Sequence, residues 1–242
     1  MTPTQDSNQA APLPIANAEE SRRVPINREE LVVASEPDSQ QAEQFRSLRN
    51  SLVALNPDSA PRTIVITSAL RGEGKTVATL NLAFALAELP GVKVLVIDAN
   101  AHAPGVEDYL GLPRAQGLSE LLGGRLPLDQ ATRPTALPGV TIVGPGAKQR
   151  NASELLASDR MRTLLRTLKQ RFNYVLIDTP EATTTSDASL LGAMCDGVVV
   201  VVRLGSTPRG YVDQVCSAFE AMGANVLGTC LTGANVPNTA KR

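Results

Sequence analysis

The segment of this 242-residue chain that most restricts its fold is 63-TIVITSALRGEGKTVATLNLAFALA-87. It begins as an apolar run rich in β-branched residues, passes through a glycine-containing turn, and continues as an apolar stretch of helical character. A strand, a glycine-rich turn and a helix in this order place backbone N–H groups where they can hold a phosphate. The segment therefore predicts a parallel α/β sheet with a phosphate-binding loop at one strand end.

The loop follows the pattern GxxxxGK[ST], with Ala69 in place of the first glycine. Gly72 and Gly74 allow backbone N–H groups to turn inward around a phosphate, and the helix amino terminus adds partial positive charge. Lys75 would reach the β- and γ-phosphates, and the Thr76 hydroxyl would ligate Mg²⁺. The predicted nucleotide-binding residues are Arg71, Gly72, Glu73, Gly74, Lys75, Thr76 and Val77. A glycine-rich turn with a helix-facing lysine is the alternative.

Apolar runs typical of buried parallel strands recur along the chain and alternate with segments of helical spacing. The predicted strands are 63–68, 92–99, 140–144, 174–178, 197–203 and 225–231. A helix is predicted at 40–55, and two apolar stripes mark further helices. These stripes are Met161, Leu164, Leu165 and Leu168, and Tyr211, Val215, Phe219 and Met222. The alternation predicts a doubly wound, mostly parallel α/β sheet in a single P-loop NTPase domain.

Two of the predicted strands end in aspartate, at 94-VLVIDAN-100 and 174-YVLIDTP-180. Because carboxyl ends of parallel strands form the ligand crevice, Asp98 and Asp178 are expected beside the phosphate loop. Asp178 would hold the Mg²⁺ shell, directly or through water. Asp98 would ligate the same ion or accept a proton from an attacking hydroxyl group. Aspartate at a strand end also serves as a helix cap or turn former, and the pattern leaves that alternative open.

Charge and composition exclude several classes of function. The net charge of −1 and the lack of a long basic block give no electrostatic basis for nucleic-acid binding. Cys195, Cys216 and Cys230 lack CxxC spacing, so we expect buried thiols in a cytoplasmic protein. The single histidine, His102, excludes most histidine-based zinc sites. No apolar run reaches the ~20 residues that span a bilayer, so if the protein works at a membrane, another chain must bring it there.

The amino-terminal arm differs in composition from the rest of the chain. Residues 1–39 are rich in Pro, Gln, Ser, Ala and Glu and contain no aromatic residue. Such a segment buries little apolar surface, so most of it is expected to be disordered or loosely docked, with local docking at 27–35. The P-loop domain would then occupy residues 40–235, and residues 236–242 would form a short tail.

Several stretches outside the phosphate loop carry a resemblance to one bacterial family. They are 43-EQFRSLR-49, 94-VLVIDA-99, 117-GLSELLGG-124, 151-NASELLAS-158, 174-YVLIDTP-180 and 186-SDASLL-191. From about Glu36 to Thr232 the chain resembles bacterial protein-tyrosine kinases (BY-kinases) and exopolysaccharide-regulating ATPases, which are related to the deviant Walker A ATPases. The resemblance implies that Lys75 and Thr76 bind ATP–Mg²⁺. It also implies that Asp98 lies in the family's second aspartate motif and Asp178 in Walker B.

The resemblance further implies self-assembly through the first long helix. Glu43, Arg46 and Arg49 match the family's Glu-x-x-Arg-x-x-Arg pattern, which would mediate ring-like assembly into a homo-oligomer. The same three residues also fit a solvated helix face with a weak intrahelical ion pair.

The chain departs from the family at the second aspartate motif. The family pattern is Asp-x-Asp followed by arginines and a proline, whereas this chain reads 98-DANAHAP-104. Asn100 keeps the shape of the second carboxylate and loses its charge, which weakens Mg²⁺ binding and base catalysis. His102 and Ala103 stand in place of the arginines.

Other departures concern the loop, the last strand and the phosphorylation target. Arg71 stands where family loops carry proline, and Thr232 stands where the last strand supplies an asparagine near the nucleotide base. Autophosphorylating members carry a carboxyl-terminal tyrosine cluster, whereas the tyrosines here are Tyr109, Tyr174 and Tyr211. Weak or absent autophosphorylation is therefore expected.

The expected function is that of a cytoplasmic ATP–Mg²⁺-binding protein that controls polysaccharide synthesis or export with a membrane-anchored chain-length-determinant partner. If kinase activity on another protein is retained, Lys75 would neutralise the γ-phosphoryl group and Asp98 would orient the attacking hydroxyl. One alternative is a pseudokinase whose nucleotide binding drives assembly. Another is a partition- or division-site ATPase, although Leu70 stands where those proteins carry their signature lysine.

Overall fold

A seven-stranded sheet forms the centre of the molecule, which a computed structural model describes over residues 12–233. The strands are β1 (Arg62–Ser68), β2 (Val94–Asp98), β3 (Arg133–Pro134), β4 (Val140–Val143), β5 (Tyr174–Asp178), β6 (Gly197–Arg203) and β7 (Val226–Thr232). Their order is β3-β4-β2-β5-β1-β6-β7, and every neighbouring pair is parallel except β3 with β4. The carboxyl ends of β1, β2 and β5 therefore meet at one edge.

Helices cover both faces of the sheet. They are α1 (Ala18–Arg23), α2 (Val32–Ser35), α3 (Gln40–Ala54), α4 (Lys75–Ala87), α5 (Val106–Tyr109), α6 (Leu118–Leu122), α7 (Leu128–Ala131), α8 (Ala152–Leu156), α9 (Asp159–Leu168), α10 (Asp187–Gly192) and α11 (Arg209–Ala221). One apolar core joins the sheet to α3, α4 and α5, and the other joins it to α6, α9, α10 and α11. The two layers confirm the predicted doubly wound α/β fold.

The central strands are buried on both faces, as their continuous apolar runs predict. The structure adds β3, a two-residue antiparallel strand that the sequence did not reveal. A strand of this length carries no periodicity, so no pattern in the sequence could mark it.

The two predicted helical stripes are buried to different extents. All four apolar residues of the α9 stripe lie in the core. On α11 only Val215 and Phe219 are buried, whereas Tyr211 and Met222 are each 44% exposed. The expectation of a continuous buried stripe was wrong at these two positions: Tyr211 lies in the first turn of α11 and Met222 caps its carboxyl end, and both side chains remain exposed.

Part of the amino-terminal arm packs on the phosphate-loop helix. Leu31 and Val33 are buried in the core, although the composition of residues 1–39 favours disorder. The Val33 N–H donates to Asn81 Oδ1 at 3.0 Å, and Asn81 Nδ2 donates to the Glu30 carbonyl at 2.8 Å. These contacts dock α2 on α4.

The proposed limits of the domain at 39 and 235 stay predictions. Residues 1–11 and the tail at 236–242 lie outside the described residues. Within residues 12–233, no helix combines the length and apolar character needed to cross a membrane.

Candidate nucleotide-binding site

The phosphate loop lies between the end of β1 and the start of α4. Gly72 and Gly74 have φ values of 82° and 89°, in the left-handed region that only glycine adopts without strain. Gly74 occupies the amino-terminal cap of α4, so the free N–H groups of the first helical turn point toward the loop. This geometry is the one that a bound phosphate requires.

Lys75 begins α4, and its side chain is held within the loop. Its Nζ donates to Ser68 Oγ at 3.0 Å and lies 3.8 Å from Glu181 Oε2. Burial lowers the pKa of Lys75, while the charges of Asp178, Glu181 and Glu73 act in the opposite direction. The lysine is thus a buried cation surrounded by carboxylates.

Glu73 supports the loop from beneath. Its carboxylate accepts the Leu70 N–H at 2.8 Å and the Thr207 hydroxyl, and its backbone carbonyl accepts the Thr232 hydroxyl at 2.7 Å. Arg203 Nη1 also donates to the Gly72 carbonyl at 3.2 Å. These bonds tie the loop to the carboxyl ends of β6 and β7.

Asp98 and Asp178 are direct neighbours in the β2–β5 register, and both are fully buried. Burial raises the pKa of both carboxyl groups, and the charge of Asp98 adds to the effect on Asp178. Thr76 Oγ1 donates to Asp178 Oδ2 at 2.6 Å. Asp178 Oδ1 is buried and has no hydrogen-bond partner among the described residues.

The Asp98 carboxylate is bonded to the loop that follows β2. Its Oδ1 accepts the Asn100 N–H at 3.0 Å, and its Oδ2 accepts the N–H groups of Gly105 and Val106 at 2.9 and 3.0 Å. Asn100 in turn accepts the Ala103 N–H through Oδ1 at 3.0 Å. Asp98 therefore has the turn-forming contacts that the sequence left open as an alternative to catalysis.

A buried ion pair holds α5 behind this loop. Glu107 on α5 pairs with Arg133 of β3, and both side chains are nearly inaccessible to solvent. Arg114 Nη1 lies 3.3 Å from the second Glu107 oxygen. Because the amino-terminal N–H groups of α5 bind Asp98, this pair positions the loop as well as the helix.

A cavity of about 650 Å³ opens in front of the phosphate loop. From the predicted nucleotide-binding set it is lined by Arg71, Gly72, Gly74, Lys75, Thr76 and Val77. Glu73, Asp98 and Asp178 are buried and do not line the cavity; the two aspartates lie behind its wall. Asn100, His102 and Ala103 face the cavity from the loop after β2.

Tyr109, Glu181 and Thr184 also line the cavity, and the sequence did not place them there. For Glu181 a signal existed, since it follows the strand-end Asp178 by three residues and lies in the turn at that edge of the sheet. For Tyr109 the position of α5 was needed.

Glu43, Arg46 and Arg49 lie far from the cavity. Both arginines form ion pairs with Glu88, at 2.8 Å from Arg46 and 2.9 Å from Arg49, just beyond the end of α4. Since α4 has 13 residues, this cluster is about 20 Å from the phosphate loop. Arg46 also pairs with Glu43 at 3.4 Å, as expected for an i, i+3 pair.

Comparison with known proteins identifies the family. A family model described as an AAA domain matches residues 61–222. Tyrosine-protein kinase YwqD of Bacillus subtilis is 30% identical over 203 residues, which cover 84% of this chain and 85% of YwqD. The chain belongs to the bacterial tyrosine-kinase family of P-loop ATPases. These matches confirm the resemblance to bacterial protein-tyrosine kinases that the sequence motifs indicated.

Longer relatives match across most of this chain as well. The putative tyrosine-protein kinase EpsB of Ralstonia nicotianae is 31% identical over 209 residues, covering 86% of this chain. The succinoglycan biosynthesis transport protein ExoP of Rhizobium meliloti is 31% identical over 225 residues, covering 90% of this chain. In each case the chain spans 28% of the relative's length.

Solved structures show the same fold. The kinase domain of Escherichia coli tyrosine kinase ETK superposes with a TM-score of 0.82 at 27% identity, covering 95% of this chain and 91% of that domain. The chimerical protein CapA2B2 gives 0.79 at 32% identity, with coverage of 89% and 98%. The septum site-determining protein MinD of Pyrococcus horikoshii, complexed with Mg-ADP, gives 0.60 at 26% identity, with coverage of 71% and 70%.

Proposed function

We propose that the chain binds ATP with Mg²⁺ in the cavity in front of the phosphate loop. The observation that carries this proposal is the open glycine-rich loop with Lys75 at the start of α4, facing a cavity large enough for a nucleotide. The phosphates would lie against the loop N–H groups, and Lys75 would exchange its contacts with Ser68 and Glu181 for phosphate oxygens. The MinD structure, which has the same fold and is complexed with Mg-ADP, supports the binding of a magnesium nucleotide.

The residues beside the loop fit a magnesium ion. Two buried carboxylates lie side by side, and one oxygen of Asp178 has no protein partner within residues 12–233. A buried pair of like charges is unfavourable without a cation, and carboxylate and hydroxyl oxygens are the ligands that Mg²⁺ prefers. Thr76 and Asp178 would hold the ion, with Asp98 as a further ligand from the next strand. When bound, the ion would offset charge on the β- and γ-phosphates.

We further propose that this site transfers phosphate poorly compared with its binding of ATP. Position 100 is Asn, and its side-chain amide oxygen accepts a hydrogen bond from the Ala103 N–H of the same loop. Asp98 is fully buried, with both oxygens accepting backbone N–H groups, so it is poorly placed to take a proton from a substrate. A positioned base is typically worth about 10²–10⁴ in rate.

For the cellular role we propose regulation of polysaccharide synthesis or export at the cytoplasmic face of the membrane, together with a membrane-anchored chain-length-determinant protein. ExoP, named for succinoglycan biosynthesis and transport, supports the connection with polysaccharide. A pseudokinase that uses nucleotide binding to control assembly is the second candidate, and Asn100 is the observation that favours it.

The test is phosphate transfer from radiolabelled ATP. We expect the purified protein to hydrolyse ATP slowly and to label its own tyrosines little, whereas Asn100→Asp raises ATP turnover by about 10-fold or more because it restores a carboxylate. Binding is measured on the same samples. Robust labelling of Tyr109, Tyr174 or Tyr211 in the unmodified protein would contradict weak transfer.

A further inference from the structure

The cavity in front of the phosphate loop contains one carboxylate among its described lining residues, that of Glu181. Asp98 and Asp178 are fully buried behind the wall. The Glu181 side chain is 19% exposed, so water and a bound substrate can reach it. The acid that faces the cavity is therefore not one of the two strand-end aspartates.

The carboxylates of Asp98, Asp178 and Glu181 also differ in the hydrogen bonds that they already accept. Asp98 accepts three backbone N–H groups, and Asp178 accepts the Thr76 hydroxyl. Within residues 12–233, the only charged or hydrogen-bonding partner of the Glu181 carboxylate is Lys75, 3.8 Å away. That distance is longer than a hydrogen bond, so both Glu181 oxygens are available to an incoming group.

The contact with Lys75 indicates where Glu181 would lie relative to a bound nucleotide. If Lys75 moves onto the β- and γ-phosphates as proposed above, the neighbouring carboxylate comes to lie at the γ-phosphate end of the nucleotide. A carboxylate directly against phosphate oxygens would be repelled, but one step farther out it can accept a proton from a hydroxyl group.

We propose that Glu181 is the general base of this site and supplies, less effectively than a carboxylate at position 100 would, the function that Asn100 lacks. This inference rests on the proposed binding of ATP. The nucleophile is water or a hydroxyl group of a substrate. Its oxygen forms a bond to the γ-phosphorus, while the bond from that phosphorus to the β–γ bridging oxygen breaks and ADP leaves with the electron pair. The proton of the nucleophile passes to Glu181 and from there to solvent.

The experiment compares Glu181→Gln with the unmodified protein by single-turnover hydrolysis of radiolabelled ATP and by calorimetric titration with ATP–Mg²⁺. Glutamine keeps the shape of the side chain and cannot accept the proton. We expect hydrolysis to slow by about 100-fold. We expect affinity for ATP to stay the same or to rise, because an anion beside Lys75 is removed. Glu220→Gln, an exposed acid on α11, is the matched control for both measurements.

A second substitution, Asn100→Asp, distinguishes two roles of Glu181: a general base, or a residue that only restrains Lys75. In the Asn100→Asp background the new carboxylate can share the role, so Glu181→Gln should slow hydrolysis much less than 100-fold. If Glu181→Gln leaves the rate of ATP hydrolysis unchanged, the proposal is overturned. It is also overturned if Glu181→Gln lowers that rate equally in the unmodified protein and in Asn100→Asp. Hydrolysis by the unmodified protein that does not exceed that of Lys75→Ala overturns it as well. Loss of ATP binding by Glu181→Gln would assign the residue to binding instead. If the unmodified protein fails to bind ATP, the proposed function fails first, and the titration reports that separately.

Discussion

Asp178 meets two opposing demands. In the absence of ligand it is a buried carboxyl group beside a second one, which raises its pKa and lowers the stability of the charged state. With a divalent cation, as proposed above, the same pair would become a binding site. The unpartnered Oδ1 would then mark a place where folding stability is given up for ligand binding.

Asp178→Asn should reveal both effects. Without ligand, we expect the thermal unfolding temperature near neutral pH to rise by about 2–4 °C, the shift that ~1 kcal/mol produces in a domain of this size. The increase in ATP affinity caused by added Mg²⁺ should disappear, because one ligand of the ion is lost. Thermal scans and titrations with and without Mg²⁺ measure these changes, with the exposed Asp213→Asn as control. A lower unfolding temperature together with an intact Mg²⁺ effect would contradict this view of the site.

The sequence located the loop and both strand-end aspartates because their spacing follows from the strand–turn–helix order. It could not show that Asp98 is bonded to the backbone of Gly105 and Val106, since those contacts depend on the path of a loop. It also could not show which acid faces the cavity. That property depends on the path of the turn after β5, which brings Glu181 to the cavity wall.

A junction of three elements lies at the opposite end of the sheet from the cavity. Asp196, just before β6, accepts the Thr63 N–H and hydroxyl of β1 at 2.7 and 2.8 Å. It also accepts Lys169 Nζ at 2.8 Å, just beyond α9. Burial raises the pKa of Asp196, but the bonds from Lys169 and Thr63 outweigh that effect and the net pKa is lowered.

Because the pKa of Asp196 is lowered, the contribution of this carboxylate to folding stability depends on pH. Because the folded-state pKa lies below the unfolded value of about 3.9, the stabilisation is fully present above that value and is lost as pH falls through the folded-state pKa. We expect Asp196→Asn to lower the free energy of unfolding by about 1–2 kcal/mol at neutral pH, as for a hydrogen-bonded charge. At strongly acidic pH the difference from the unmodified protein should vanish. Urea unfolding at both pH values checks this, and an equal difference at both would contradict it.

Prediction of whole elements succeeded where periodicity extends over several residues. The continuous runs of β5 and β6 and the four-residue stripe of α9 were found at the right places. The prediction that Tyr211 shares a buried stripe with Val215 failed because a helix of 13 residues can show an apolar stripe longer than the surface it packs against. The β3 strand could not be predicted because two residues carry no periodicity, and the partner of its buried Arg133 is Glu107, which is distant in the sequence.

Helix α4 runs from the phosphate loop to a distant surface of the molecule. This helix begins at Lys75 in the phosphate loop and ends beside Glu88, where Arg46 and Arg49 of α3 form ion pairs. The two arginines predicted to join neighbouring protomers are therefore engaged within one chain. Any trans interface must replace or share the Glu88 contacts.

Substitutions on α3 and at Glu88 distinguish assembly between protomers from a contact within one chain. If Glu43, Arg46 and Arg49 mediate assembly, the triple alanine variant should sediment as a monomer while the unmodified protein forms an oligomer. Glu88→Ala should keep the oligomer, because it frees both arginines, and should cost up to about 1 kcal/mol of stability, as expected for partly exposed ion pairs. An unmodified protein that is monomeric with and without nucleotide would restrict these residues to the contact between α3 and α4.

The most direct test of the nucleotide site is calorimetric titration of the unmodified protein and Lys75→Ala with ATP–Mg²⁺. Lys75 is the buried cation of the phosphate loop, and two charge-assisted bonds to phosphate contribute about 3 kcal/mol, a factor of about 100 or more in affinity. Lys93→Ala, at an exposed lysine at the other end of the sheet, should bind ATP like the unmodified protein. We expect Lys75→Ala to lose at least that factor while unfolding at a similar temperature. Equal affinity of Lys75→Ala and the unmodified protein, with both folded, would contradict nucleotide binding at this loop.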